Sequence, residues 1–401
     1  MNLAEIASAT GGILADGTAS KSLVTGNLSF DSRMVDKGGV FCCLPGKHGD
    51  GHDYARQAVK EGAVAVLAAR PVGVPAVIVP DVLAGMADVA RAVASAYTGT
   101  VIGITGSAGK TSTKDLLRQI LEQDGPTVAT LRSFNNEIGF PVTVTSVQSD
   151  SRYLVLEMGA RGKGHIEQLC SIAPPRIATV LNVGSAHIGE FGDRKAIARA
   201  KAELVQALPP AQGIAVLNGD DPLVLAMGKT TDARIVTFGT SHGCDVRAYA
   251  VQSENGCPRF SLRYGHKTTR LQLSVPGRHN LWNALAAAAT ALAAGVPFDR
   301  VVAALGRAKI TSGGRMDVQH SRDGLTIIND AFNASPESVA GRGRAEVGAV
   351  LGMSEGVAAR GGTSRARLTA SRPRVTFLVL PLREADTWRV HIYGPIPSNP
   401  P

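Results

Sequence analysis

A glycine-rich turn constrains this chain more than any other feature of its sequence. Residues 105–111 read TGSAGKT, follow a run rich in β-branched residues and open a helical pattern. Glycines let successive backbone N–H groups turn inward around phosphate oxygens, and the start of the helix adds a positive dipole. In such a loop Lys110 would reach the terminal phosphates and the Thr111 hydroxyl would hold Mg²⁺. Ile104 stands where the strict loop has glycine, so this is a shortened form, and an ordinary glycine-rich turn is the weaker alternative.

Strand-like runs and helical stretches alternate on both sides of this loop. Residues 1–98 combine short apolar runs, turns and helical stretches, which predicts a small α/β domain. After them, β-type runs recur at 101–105, 128–131, 153–158, 177–182, 214–218 and 235–238. Such alternation predicts a P-loop-type, mostly parallel sheet with helices on both faces. Residues 245–275 change to short alternating runs, which predicts an antiparallel edge, and helices at 280–294 and 298–307 close the block.

The composition excludes several other classes of protein. Hydrophobic residues make up 44% and charged residues 19% of the chain, which is typical of globular proteins and not of disordered or fibrous ones. The apolar stretch 284–294 is too short to cross a bilayer, and residues 1–7 lack the basic run of a signal peptide. Five scattered cysteines without a CxxC pair argue against a disulfide scaffold or zinc module, so we expect a cytoplasmic protein without membrane insertion.

The basic residues concentrate at the end of the chain. The formal net charge is +9, and residues 341–401 contain nine arginines against four acidic residues. Because no cluster of Lys and Arg interleaved with aromatic residues occurs elsewhere, we expect no nucleic-acid partner. The expected organisation is a domain at 1–98, a central domain at 99–312, a link at 313–338 and an Arg/Gly/Pro-rich tail at 339–401.

Several polar residues near predicted strand ends or helix starts are candidate ligands, and each has a plainer alternative. Glu157 ends an apolar run at the carboxyl edge of a predicted parallel strand, where it could complete a Mg²⁺ shell or form a local ion pair. His187 follows another such strand, but a lone histidine is more often a packed or surface residue. Lys201 lies in a helical stretch, where a lysine usually faces solvent. Asn280 and Asn283 open an alanine-rich helix that Asn280 could simply cap.

The order of these motifs along residues 1–338 resembles the Mur ligase family, which makes the cytoplasmic precursor of bacterial peptidoglycan. The matching segments are residues 105–114, 135–141 (NNEIGFP), 157–160, 182–187, 200–203, 277–283 and 329–336. Near the start, residues 31–33 (DSR) and 46–52 resemble the UDP-sugar-binding domain of the family. The Gly-Ser pair after Thr105 and the NNEIGFP block are most similar to the members that add D-alanyl-D-alanine.

The resemblance implies site roles that the spacing alone does not assign. The implied ATP contacts are Thr105, Gly106, Ser107, Ala108, Gly109, Lys110, Thr111 and Ser112, with Asn283 at adenine, Arg315 at the γ-phosphate and Asp330 at the ribose. The implied Mg²⁺ ligands are Thr111 and Glu157, with His187 at a second Mg²⁺ and Lys201 as a metal-facing anion once it is carbamylated. The implied catalytic residues are Lys110, Glu157, His187 and Lys201. Lys201 matches the family lysine that can be carbamylated. The implied substrate contacts are Ser32, Arg33, Asn135 and Asn136.

The implied reaction joins D-alanyl-D-alanine to UDP-N-acetylmuramoyl-tripeptide. The γ-phosphoryl group of ATP is transferred to the terminal carboxylate, and the amine then attacks the acyl phosphate to give an amide, ADP and phosphate. A carboxylate is a poor electrophile until one of its oxygens becomes a leaving group, and crowding anions together requires cations, here two Mg²⁺ and Lys110. We expect the protein to act as a monomer.

The end of the chain departs from the family pattern. Family members continue with a third α/β domain, which needs on the order of 100 residues or more. Residues 339–401 do not show the corresponding alternation, so we expect this domain to be largely missing or replaced, through a shifted coding frame or a rearrangement. The alternatives are a non-catalytic protein that still binds nucleotide and UDP-sugar, a ligase that adds a different amino acid, and a P-loop NTPase that acts as a switch.

Overall fold

Two sheets with helices packed on their faces make up the part of the chain that the structure, a computed structural model, describes. The side chains and backbone are described for residues 1–46, 49–131, 133–185, 188–254, 256–313 and 315, and the backbone alone for Asp317–His320 and Thr326–Asn329. The expected α/β class is confirmed. The tail at 339–401 and most of the link at 313–338 lie outside the described residues.

The first sheet belongs to the amino-terminal part of the chain. Its strands are β1 (Ile13–Leu14), β2 (Leu28–Ser29), β3 (Val40–Cys42), β4 (Ala65–Ala68) and β5 (Ala76–Ile78). They are ordered β1-β5-β4-β3-β2, and all neighbours are parallel except β1 and β5. The helices are α1 (Leu3–Thr10), α2 (Ala55–Glu61) and α3 (Val82–Ala96). Because α1 and α3 cover one face and α2 the other, both faces of the central strands are buried.

The second sheet has nine strands, and β6 lies inside it. Its strands are β6 (Thr100–Thr105), β7 (Thr127–Ala129), β8 (Tyr153–Glu157), β9 (Ile177–Val180), β10 (Ile214–Asn218), β11 (Arg234–Gly239), β12 (Val246–Glu254), β13 (Cys257–Tyr264) and β14 (Lys267–Gln272). They are ordered β14-β13-β12-β11-β10-β9-β6-β8-β7. In this order, all neighbouring strands between β12 and β7, including β6, are parallel, whereas β13 pairs antiparallel with both β12 and β14. The predicted parallel sheet with an antiparallel edge is therefore confirmed.

Helices cover both faces of the second sheet. They are α4 (Lys110–Leu121), α5 (Gly139–Thr145), α6 (His165–Ile172), α7 (Ile188–Phe191), α8 (Arg194–Gln206), α9 (Pro222–Leu225), α10 (Asn280–Ala293) and α11 (Phe298–Leu305). Alternate residues of a strand point to opposite faces. Accordingly, Tyr153 and Val155 join the core under α4, α10 and α11, whereas Leu154 and Leu156 join the core under α5, α6 and α8. The small alanine side chains of α10 let it lie close to α4 and the sheet.

The two sheets are joined through α3 and α5, which pack against each other. Val142 of α5 belongs to the core of the first sheet, and the backbone N–H of Leu28 donates to Oγ1 of Thr145 at 3.2 Å. The rings of Phe30 and Phe134 meet edge to face across the same boundary, with centroids 5.6 Å apart. The loops after β2 and β7 are thus held beside each other.

Two further strands follow the second sheet. β15 (Asp317–His320) and β16 (Thr326–Asn329) pair antiparallel as a sheet of their own. Within the described part of the chain, no helix is long and apolar enough to cross a membrane.

Candidate nucleotide and metal site

The expected phosphate loop lies at the carboxyl end of β6 and leads directly into α4. Gly109 precedes the helix with a φ of 83°, and a Cβ atom there would lie 2.3 Å from Oδ1 of Asn283, so the position requires glycine. Lys110 begins α4, and its Nζ donates to the carbonyl of Gly106 at 2.9 Å across the loop. Burial lowers the pKa of Lys110, and the positive charge of Arg315 adds to this, whereas the charge of Glu157 opposes it.

Asn182, just beyond the end of β9, holds the phosphate loop from the neighbouring strand. Its carbonyl accepts the N–H of Ser107 at 3.1 Å, and its Oδ1 accepts the N–H of Ala108 at 2.9 Å. Its Nδ2 donates back to the carbonyl of Ala108 at 3.1 Å, and the Ser107 hydroxyl accepts the N–H of Gly184 at 2.9 Å. These bonds fix the loop between β6 and α4.

A buried carboxylate faces the start of α4. Glu157 is only 1% exposed, and its Oε2 accepts the hydroxyl of Thr111 at 2.7 Å. Its Oε1 accepts Nδ2 of Asn135 at 2.7 Å, while its backbone N–H donates to Oγ1 of Thr130 at 2.9 Å. β6 and β8 are parallel neighbours, so their carboxyl ends bring the loop and this glutamate together. A hydroxyl and a carboxylate are oxygen donors of the kind that Mg²⁺ prefers, and Thr111 and Glu157 therefore fit a magnesium site.

Arg315 reaches this cluster from the far end of the described chain. Its Nη2 donates to Oγ1 of Thr111 at 2.9 Å and to Oγ of Ser133 at 3.3 Å. The hydroxyls of Thr111 and Ser133 are 3.4 Å apart. The arginine implied for the γ-phosphate thus lies beside the threonine implied for Mg²⁺.

Lys201 is buried on α8, which makes the solvent-facing alternative wrong. Its residue surface is 6% exposed, whereas Lys195 of the same helix is exposed. Burial, together with the charge of Lys110, lowers the pKa of Lys201 to about 7. A large fraction of this amine is therefore neutral near neutral pH. His187, expected at a second Mg²⁺, lies outside the described residues.

Asn283 lies where α10 approaches α4. It is 6% exposed, its Nδ2 donates to Oδ1 of Asn280 at 2.9 Å, and its Oδ1 accepts the hydroxyl of Thr113 at 3.4 Å. Asn280 donates in turn to the carbonyl of Pro276 at 2.7 Å. The helix-capping role considered for Asn280 is wrong, because α10 begins at Asn280 itself and its N-terminus has no side-chain cap. The implied adenine contact of Asn283 stays a prediction.

Comparison with known proteins connects these features. Residues 104–291 match the Mur ligase middle domain, and residues 25–96 match a domain described as the Mur ligase family, catalytic domain. The chain is 47% identical, over 84% of its length and 72% of the relative, to a UDP-N-acetylmuramoyl-tripeptide--D-alanyl-D-alanine ligase of Mycobacterium tuberculosis. The chain belongs to the Mur ligase family. The expectation that it is most like the D-alanyl-D-alanine-adding members is confirmed by this relative.

Solved structures of members of this family support the same assignment. The structure superposes on MurF from Acinetobacter baumannii with a TM-score of 0.77 at 30% identity, covering 85% of this chain and 75% of that one. It superposes on MurF ligase from Thermotoga maritima in complex with ADP with a TM-score of 0.70 at 32% identity, covering 82% of this chain and 76% of that one.

The residues expected to bind the UDP-linked substrate of a Mur ligase lie in three different settings. Arg33 is exposed and forms two hydrogen bonds with Asp31, at 2.9 and 2.8 Å, which lower the pKa of Asp31 to about 2. Ser32 is buried beside this pair. Asn135 contacts Glu157, whereas Asn136 accepts the backbone N–H of Gly139 at 3.0 Å and so holds the start of α5. Asp330, implied at the ribose, lies outside the described residues.

Several residues that build the site were not singled out from the sequence. Asn182 appeared only within a matching segment, and Thr130 and Ser133 were not considered. A usable signal existed for Asn182, because a polar residue just after an apolar parallel strand lies at the edge where ligands bind. Thr130 and Ser133 follow the short strand β7 in the same way.

Proposed function

We propose that this chain is an ATP-dependent ligase that joins D-alanyl-D-alanine to UDP-N-acetylmuramoyl-tripeptide in the synthesis of peptidoglycan precursors. The observation that carries the proposal best is the contact of Thr111 with Glu157, at the end of a phosphate loop fixed by Asn182. The names of the relatives and the ADP complex of the T. maritima enzyme support the same assignment. Because the Mur ligase family makes the cytoplasmic precursor of peptidoglycan, we expect the activity in the cytoplasm, and a monomeric state stays a prediction.

The residues at the loop suit an ATP–Mg²⁺ complex. Thr111 and Glu157 would hold the metal, while the family implies His187 as a ligand of a second Mg²⁺ and Lys201, once carbamylated, as a metal-facing anion. Mg²⁺ would neutralise the negative charge that builds up on the phosphoryl oxygens. Lys110 would exchange its bond to the Gly106 carbonyl for a phosphate oxygen, and Arg315, which donates to the Thr111 hydroxyl, would supply a second cation.

The chemistry explains why cations gather here. An oxygen of the peptide carboxylate would attack the γ-phosphorus, and the bond to the bridging oxygen would break with ADP as the leaving group. The amine of D-alanyl-D-alanine would then attack the acyl carbon, lose a proton and displace phosphate. The first step brings a carboxylate against the anionic triphosphate, and the second builds negative charge on the acyl oxygen and the departing phosphate, so Lys110 and Arg315, held in fixed positions, lower the electrostatic cost.

Phosphate release from ATP tests the proposal. We expect release only when UDP-N-acetylmuramoyl-tripeptide and D-alanyl-D-alanine are both present, together with a pentapeptide product. ATP and UDP-substrate binding without release would instead favour the non-catalytic alternative, and release with another amino acid would favour a different ligase.

Two matched variants separate the two expected binding sites. Lys110→Ala should lose ATP binding and keep UDP-substrate binding, whereas Arg33→Ala should do the reverse. If the UDP-substrate binds neither the wild-type chain nor the variants, the assignment of the first domain is wrong.

A further inference from the structure

One face of α4 is occupied by the chain segment that leads to Arg315. Thr111, Asp115 and Gln119 are spaced four residues apart, so they lie on the same face of this helix. Gln119 contacts the start of this segment and Asp115 its middle, so the segment runs antiparallel to the helix, and Thr111 contacts Arg315 just beyond it. We call residues 309–313 the α4-bound segment.

Gln119 holds the start of the α4-bound segment through both ends of its amide group. Its Nε2 donates to the carbonyl of Lys309 at 2.6 Å, and its Oε1 accepts the N–H of Lys309 at 3.0 Å. This two-way bond fixes the peptide plane at one end of the segment. Nearly two hundred residues of chain separate the two partners.

Asp115 holds the middle of the α4-bound segment through its carboxylate. Its Oδ2 accepts the N–H groups of Thr311 and Ser312 at 3.0 and 2.7 Å, and its Oδ1 accepts the Ser312 hydroxyl at 3.2 Å. A carboxylate that accepts successive backbone N–H groups makes charge-assisted bonds, which are stronger than neutral ones. The segment is therefore bound to α4 only a few residues before Arg315.

The Asp115 carboxylate is also connected to Glu157. Nζ of Lys114 is 2.9 Å from Oδ1 of Asp115 and donates to the carbonyl of Thr130 at 2.7 Å, and both charged side chains are almost fully buried, at 4% and 2% exposed. Thr130 in turn holds the backbone of Glu157. Burying an ion pair is costly and rarely adds net stability, whereas it can fix one arrangement of the surrounding chain.

We propose that Asp115 and Gln119 are positioning residues that fix the α4-bound segment along α4 and thereby place Arg315 at the Thr111 hydroxyl. Through Arg315, the two residues act on the terminal phosphate of a nucleoside triphosphate, which ADP lacks. They therefore favour the binding of ATP over that of ADP. This inference rests on the proposed function, because it takes the phosphate loop to bind ATP.

Binding of ATP and of ADP to the full chain, each with Mg²⁺ and measured by calorimetry, tests the inference. Arg315→Ala sets the reference and should weaken ATP binding about tenfold or more while changing ADP binding little. Gln119→Ala is a suitable variant because it leaves no buried charge unpaired. Both Gln119→Ala and Asp115→Asn should reproduce much of the loss of ATP affinity while changing ADP affinity little. In the Gln119→Ala/Arg315→Ala double variant, we expect little further loss, since both changes remove the same contact.

Asp124→Asn provides the matched control. This aspartate lies just beyond the other end of α4, has a side chain that is 8% exposed, and binds Arg152, Tyr153 and Arg300. It should lower stability and leave the ratio of ATP to ADP affinity unchanged.

The possible results separate the two hypotheses. The inference is wrong if Gln119→Ala and Asp115→Asn leave the ratio of ATP to ADP affinity unchanged, whether or not they weaken the binding of both nucleotides equally. It is also wrong if Arg315→Ala itself does not change this ratio. If Asp115→Asn does not fold, Gln119→Ala decides. A wild-type chain that binds neither nucleotide would contradict the proposed function, and the inference with it, whereas nucleotide binding with an unchanged ratio contradicts the inference alone.

Discussion

The hydroxyl of Thr111 donates to Oε2 of Glu157 at 2.7 Å, which joins the first turn of α4 to the end of the neighbouring strand β8. The carboxylate is almost completely buried, and a buried charge requires compensation. Asn135 and Thr111 supply hydrogen bonds, and the pKa of Lys110 responds to the Glu157 charge. A divalent cation held by Thr111 and Glu157 would complete this compensation.

We therefore expect Glu157→Gln to remove the effect of Mg²⁺ on nucleotide binding. The glutamine has nearly the same shape but no charge, so the gain in ATP affinity on adding Mg²⁺ should fall about tenfold or more. ATP affinity measured with Mg²⁺ and with a chelator gives this gain for the wild type and the variant. The Asp124→Asn variant removes the charge of a different carboxylate, beyond the other end of α4, and should keep the full gain in ATP affinity. If Mg²⁺ raises the ATP affinity of Glu157→Gln as much as that of the wild type, this glutamate is not a metal ligand.

Lys201 should form a carbamate with carbon dioxide above neutral pH. Burial and the charge of Lys110 bring its pKa to about 7, and only the neutral amine reacts. The protein in ¹³C-labelled bicarbonate should show a carbamate NMR signal at pH 8 that weakens at pH 6, because the amine becomes protonated as pH falls through this pKa. Lys201→Met should lose the signal, and Lys195→Met, at an exposed position of the same helix, should keep it. A signal that survives in Lys201→Met would assign the carbamate to another amine.

The sequence predicted the second sheet well because each parallel strand is a compact apolar run between turns. It gave no indication of α5, whose residues Gly139–Thr145 read GFPVTVT and have the composition of a strand. Burial explains the helix: Phe140 and Val144, four residues apart, enter the core of the second sheet, while Val142 enters that of the first. Such tertiary packing overrides local propensity.

The candidate site could be predicted only in part. Thr111 and Glu157 follow from the loop motif and from the rule that ligands bind at the carboxyl ends of parallel strands. The burial of Lys201 and the binding of the α4-bound segment to Asp115 could not be predicted. They depend on which face of a helix meets a distant part of the chain, and the polar residues of α4 give no signal of their partner.

Asn182→Ala should loosen the phosphate loop. The variant loses the side-chain bonds to the N–H and the carbonyl of Ala108, so the free energy of unfolding should fall by about 1–3 kcal/mol and ADP affinity should fall as well. Chemical unfolding and calorimetric titration with ADP measure the two effects. Asn218→Ala is the matched control, because Asn218 ends the next strand and bonds to Leu181 and Asp220. It should lose stability and keep ADP affinity, and equal ADP affinities in the two variants would contradict the role given to Asn182.

Asp220 should make the stability of the protein depend on pH in the acid range. Its carboxylate accepts the N–H and hydroxyl groups of both Thr240 and Ser241 and Nε1 of Trp282. Burial alone would raise its pKa, but the hydrogen bonds from Ser241, Thr240 and Trp282 outweigh it and lower the pKa to about 2. The folded chain therefore binds this proton less readily than the unfolded chain does, for which the pKa is about 3.9. The stabilisation is complete above about pH 4 and is lost as pH falls toward 2.

Asp220→Asn should consequently lower the free energy of unfolding by about 1–3 kcal/mol at pH 6, and the difference from the wild type should shrink as pH falls from 4 to 2. Urea unfolding at a series of pH values measures this difference. Trp282→Phe removes one of the donors and keeps the carboxylate, so it should cost less at pH 6 and retain most of the pH dependence. A difference that is the same at pH 2.5 and pH 6 would mean that the ionised carboxylate is not what holds Thr240 and Ser241 in place.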